Sequence, residues 1–115
     1  MKLTSVTIGI TVTDLRVARH WYEAVFELAG PDLEPIDGVV EYRLGDCWLQ
    51  LGEGACSSGG WILRVGVADI GKERTRLLGL GIDVDPVIEI DDVIAFCEFQ
   101  DPDGNRLSLY TVAPA

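Results

Sequence analysis

The sequence predicts an α+β domain in which two β-α-β-β-β repeats form a curved mixed sheet around a cleft, with the helices on the convex face. Three observations carry this reading. Ser5–Thr13 alternates with period two, apolar β-branched residues falling at even positions and small or polar ones at odd positions. The pattern restarts at Trp61, and Ile10-Thr11-Val12-Thr13-Asp14-Leu15 overlays Val65-Gly66-Val67-Ala68-Asp69-Ile70 as an internal repeat. Near the end, Asp101-Pro102-Asp103-Gly104-Asn105 separates two alternating runs, and proline, glycine and aspartate in that order spell a hairpin turn.

The elements follow in order. Thr13 or Asp14 can cap a helix over Leu15–Leu28, where Arg16, Arg19, His20, Glu23 and Glu27 share one polar side and Ala18, Trp21, Tyr22, Val25 and Phe26 face elsewhere. Gly30-Pro31 is the expected stop. Strands follow at about 39–44 and 47–52, joined at Gly45-Asp46. The Gly/Ser-rich segment at about 54–60 reads as a linker between repeat 1 (about 1–53) and repeat 2 (about 61–115) of a single domain. In repeat 2, a strand over 61–68 leads to Asp69 as cap and to a weaker helix over 70–80, stopped by Gly79 and Gly81. Strands near 87–90, 94–100 and 105–111 complete the pattern.

Composition narrows the function. The chain has 115 residues, 48% of them hydrophobic, enough for one small core that oligomerisation would help to stabilise. A net charge of −10 opposes nucleic acid and anionic membranes as partners. No run reaches membrane-spanning length and no signal-peptide core precedes the first strand, so a complete cytoplasmic protein is expected. Cys47, Cys56 and Cys97 lack metal-ribbon spacing and read as buried free thiols. Asp91-Asp92 reads as a solvated turn.

Taken together, Val12-Thr13-Asp14-Leu15, the Trp21-Tyr22 helix, the Leu44-Gly45-Asp46 turn and Asp101-Pro102-Asp103-Gly104-Asn105 resemble the vicinal oxygen chelate superfamily. That superfamily includes glyoxalase I, bleomycin-resistance proteins and extradiol dioxygenases. The resemblance implies the glyoxalase-like fold, a small-molecule ligand and a homodimer. It also implies positions for metal ligands: a His on the first strand of each half and an acidic residue on the last. Those positions hold Thr7, Ile62, Gln50 and Ser108 here, which offer neither charge nor imidazole. No metal and no other cofactor is therefore expected, and His20, the single histidine, reads as solvated surface.

Strand parity predicts the lining of the cleft. Thr7, Gly9 and Thr11 face it from the first strand, and Ile62, Arg64 and Gly66 from its counterpart. Trp48 and Gln50, and Arg106, Ser108 and Tyr110, join them, with Phe96 and Glu98 as additions. Arg64 at an apolar strand centre should meet an acid, either Glu98 or Glu41, or clamp an anionic ligand. Trp48 and Tyr110 can stack on a flat ligand or serve packing or a dimer contact. The first functional expectation is a metal-free protein binding an amphiphilic or aromatic small molecule, anions included. The alternative is a metal-independent lyase or isomerase with Glu98 or Glu41 as base and Arg64 as anion clamp. A third is an interaction module with a vestigial cleft.

Overall fold

The computed structural model describes residues 1–55 and 61–112, so most of the expected linker, including Cys56, lies outside the described residues. The chain divides into two compact units, Met1–Ser58 and Gly59–Ala115. Unit 1 contains β1 (Thr7–Val12), α1 (Leu15–Phe26), β2 (Leu33–Ile36), β3 (Val39–Leu44) and β4 (Cys47–Glu53). Unit 2 contains β5 (Ile62–Gly66), α2 (Ile70–Gly79), β6 (Ile88–Ile90), β7 (Ile94–Gln100) and β8 (Arg106–Val112). Their strands bond as two four-stranded mixed sheets, ordered β1-β4-β3-β2 and β5-β8-β7-β6. In both, the first strand runs parallel to the last and the remaining pairs are antiparallel. The same β-α-β-β-β wiring thus occurs twice.

Binary patterning explains each layer. Even positions of β1 place Ile10 and Val12 in the core; Val40 and Tyr42 from β3 and Leu49 and Leu51 from β4 share that face, under Ala18, Tyr22 and Val25 of α1. In unit 2 the equivalent layer is Leu63, Cys97, Phe99, Leu107 and Leu109, with Leu77 the one buried residue of α2. Asp14 and Asp69 cap the two helices, their carboxylates accepting from Val17 N at 3.2 Å and Lys72 N at 3.1 Å. α1 ends earlier than expected, at Phe26, because Glu27 turns left-handed at φ 55° before Gly30 is reached.

One strand was not visible in the alternation. β2 is short, carries Pro35 and is exposed at all four residues, as suits an edge strand that need not donate at every position. Of the cysteines, Cys97 is buried and Cys47 half-buried, both as free thiols.

Asp91-Asp92 forms the tip of the β6–β7 hairpin. Both residues have positive φ (48° and 55°), and Val93 N donates to Ile90 O at 2.8 Å. Two successive left-handed residues favour Asn-Gly or Asp-Gly, so Asp92 carries a steric cost and faces a like charge beside it. Asp92→Gly should stabilise the fold by about 0.5–1 kcal/mol, read as a higher urea midpoint with an unchanged slope.

Candidate functional site

In each unit the sheet has a second face, opposite its helix, and the register assigns residues to it row by row. In unit 1 the rows are Thr7–Trp48–Arg43, Gly9–Gln50–Glu41 and Thr11–Gly52–Val39. In unit 2 they are Ile62–Arg106–Gln100, Arg64–Ser108–Glu98 and Gly66–Tyr110–Phe96. The expected lining residues therefore fall on this face of their own sheets: Thr7, Thr11, Trp48, Gln50 and Glu41 in one, Ile62, Arg64, Arg106, Ser108, Tyr110 and Glu98 in the other. Gly9 and Arg64 hold equivalent positions, as do Gln50 and Ser108, and Glu41 and Glu98.

The partners of Arg64 differ from expectation. Arg64 is exposed, so the desolvation cost expected at a strand centre does not arise. Its Nη1 donates to Ser108 Oγ at 3.3 Å, and its guanidinium lies 5.6 Å from the centroid of the Phe96 ring. Glu98 is bonded by Arg106 instead, Nη2 to Oε1 at 2.8 Å. Geometry accounts for the exchange. Arg106 sits on the strand next to Glu98, diagonally across the antiparallel pair, whereas Arg64 is two strands away with Ser108 between them. In unit 1, Glu41 Oε2 accepts from Gln50 Nε2 at 2.8 Å. Among the described residues Arg64 has no carboxylate within ion-pair distance.

The aromatic side chains are partly committed. Arg43, which shares the parity of Glu41 but was not assigned to the site from sequence, lies over Trp48 at 5.6 Å from the ring centroid. Its Nε donates to Gly45 O at 2.9 Å, which fixes it across the β3–β4 turn. Tyr110 packs on bare backbone at Gly66, where an added Cβ would lie 3.0 Å from its ring. Gly66 thus seats Tyr110 as well as leaving room on the sheet. Ser108 is fully buried beneath Arg64.

The four positions that the resemblance assigns to metal ligands supply hydroxyl, amide and alkyl groups: Thr7 and Gln50 in unit 1, Ile62 and Ser108 in unit 2. That donor set does not fit a divalent metal, which takes carboxylate, imidazole or thiolate. Among the described residues, no group of three or more His, Cys, Asp or Glu side chains is placed to hold one.

The helix side of unit 1 has its own polar network. The Tyr42 hydroxyl donates to Glu23 Oε2 at 2.6 Å, and Arg19 bridges Glu23 and Glu34 at 3.3 and 3.4 Å. Burial, reinforced by the hydrogen bond and charge of Glu23, raises the Tyr42 phenol above its ordinary value of 10.0. A raised folded-state value means that this contribution is complete below about pH 10 and is lost as the pH climbs above it. Unfolding free energy should therefore fall above about pH 10 in the native protein, and less steeply in Tyr42→Phe, as urea titrations at pH 8 to 11 would read. A groove of about 490 Å³ opens beside this network, lined by Leu15, Arg16, Arg19, His20, Glu23 and Glu53. Glu53 is engaged there, accepting from Leu15 N at 2.9 Å.

No family model matches the sequence, and no curated protein does. Solved structures do. A glyoxalase/bleomycin resistance protein from Catenulispora acidiphila DSM 44928 is 19% identical with a TM-score of 0.78, covering 94% of this chain and 97% of that one. A lactoylglutathione lyase from Agrobacterium tumefaciens is 19% identical with a TM-score of 0.78, at 94% and 92% coverage. The fosfomycin resistance protein FosX from Mesorhizobium loti is 19% identical with a TM-score of 0.72, at 96% and 92% coverage. Likeness at this identity speaks to architecture, and with the doubled β-α-β-β-β wiring it gives one answer. The chain has the α+β fold of these glyoxalase/bleomycin-resistance structures.

Proposed function

We propose that the protein binds a small amphiphilic or aromatic organic anion, without a metal, on the sheet face of unit 2. The observation that carries this reading is Arg64. Its guanidinium is exposed, makes one long hydrogen bond to Ser108, and has no carboxylate partner among the described residues. A guanidinium held only by a neutral hydroxyl and the Phe96 ring keeps donors to spare, in a geometry that matches a carboxylate or phosphonate. The adjoining row, Gly66–Tyr110–Phe96, supplies aromatic surface beside that charge. On this face of unit 2, Ile62 and Ser108 offer no metal ligand for the anion to share, so recognition rests on the guanidinium and the aromatic row.

The catalytic alternative has less support. Glu98, one of its two candidate bases, is engaged by Arg106, and Glu41, the other, is hydrogen-bonded to Gln50. The resemblance further suggests a cytoplasmic homodimer; light scattering at micromolar concentration tests the dimer, and a mass near 12.5 kDa contradicts it.

A thermal-shift screen of aromatic carboxylates, phosphonates and their neutral analogues tests the binding reading. A ligand that binds only the folded state raises the melting temperature, by an amount that grows with concentration. Anions should shift it and neutral analogues should not. Equal shifts from both, or none from any anion, would contradict the reading.

A further inference from the structure

The two repeats carry the same carboxylate in different states. Glu41 and Glu98 hold equivalent positions in the central rows Gly9–Gln50–Glu41 and Arg64–Ser108–Glu98. Glu98 is neutralised by Arg106 at 2.8 Å. Glu41 receives only the neutral amide of Gln50, also at 2.8 Å, on its side chain. Among the described residues no cation lies within ion-pair distance of it. Arg43, the nearest basic residue along β3 on the same face, is turned to Gly45 O and the Trp48 ring. The Glu41 side chain is only half-exposed, so its charge is partly withdrawn from water without a counter-ion.

The rest of that row is shaped to admit a partner. Where unit 2 places Arg64, unit 1 has Gly9, and a Cβ built there would meet nothing nearer than Gln50 Oε1 at 3.7 Å. The row is therefore a bare strip of backbone ending in an amide and a carboxylate. Gln50 gives one of its two Nε2 hydrogens to Glu41, and its Oε1 is the atom turned toward Gly9. Both groups that border the strip thus present acceptors, which calls for a ligand that donates.

We propose that the Gly9–Gln50–Glu41 row of unit 1 is a subsite for an organic ammonium group. Glu41 supplies the charge, Gln50 Oε1 a second acceptor, and Gly9 the space, with Thr7 and Thr11 on the same strand face. The inference rests on the reading that these sheet faces bind small molecules, but it concerns a different unit and the opposite charge.

Two probes separate the two proposals. Amide NMR spectra are recorded during titration with 2-phenylethylammonium and, separately, with phenylacetate, with 2-phenylethanol as the uncharged control. The amine should shift the Gly9 backbone amide and the Gln50 side-chain amide, and Glu41→Gln, which keeps the shape and removes the charge, should weaken it at least tenfold. Phenylacetate binding should survive Glu41→Gln and fall at least tenfold in Arg64→Gln. If the amine leaves Gly9 and Gln50 unshifted, binds Glu41→Gln as well as the native protein, or binds no better than the alcohol, the ammonium subsite is wrong. A failure of phenylacetate alone would count against the anion site and leave the ammonium subsite standing.

Discussion

Replacing Asp101 with alanine is expected to destabilise the protein by about 3 kcal/mol, because one buried carboxylate organises the whole β7–β8 turn. Asp101 is 5% exposed and Asn105 4%. Asp101 Oδ1 accepts from Asp103 N at 2.9 Å and Asn105 N at 2.8 Å, while Oδ2 accepts from Asn105 Nδ2 at 2.8 Å. Alanine would leave three donors without this acceptor, one of them buried backbone at Asn105. For a chain of this size the loss corresponds to a melting temperature lowered by more than about 10 °C. Asp101→Asn should cost roughly half as much: one oxygen still serves the backbone donors, but its amide nitrogen would face the Asn105 amide nitrogen. Calorimetry of the two variants checks the order, and an alanine variant as stable as the native protein would remove the turn from the account.

Changing Arg64 to glutamine should do the opposite: leave stability within about 0.5 kcal/mol and weaken binding of an organic anion roughly tenfold or more. The first half follows from exposure and a single 3.3 Å bond to Ser108. The second follows from the loss of a charge-assisted contact, worth about 1.5–3 kcal/mol where water is partly excluded. Arg106→Gln should weaken the same anion less, because the Arg106 guanidinium is already bonded to Glu98.

The sequence disclosed more of the scaffold than of the chemistry, for physical reasons. Alternation in β1 is legible because one face is buried against a helix and the other is not; β8 blurs it, since Ser108 is buried along with Leu107 and Leu109. Asp14 and Asp69 were legible as caps because their side-chain role is local. β2 was hidden because an exposed edge strand with proline has no buried face to impose a period. Partner choice was the least legible. Whether Glu98 meets Arg64 or Arg106 depends on which strands are adjacent, and no local pattern encodes that. Arg43 was passed over although it shares the parity of Glu41, since nothing nearby in sequence signals that it lies over Trp48.

The most direct test of the metal-free anion site is a calorimetric titration of phenylacetate into protein dialysed against chelator, in native and Arg64→Gln forms. Binding that persists after dialysis, is unaffected by added zinc or magnesium, and falls at least tenfold in the variant is the predicted result. Binding that requires added metal, or that is equal in the two proteins, would contradict it.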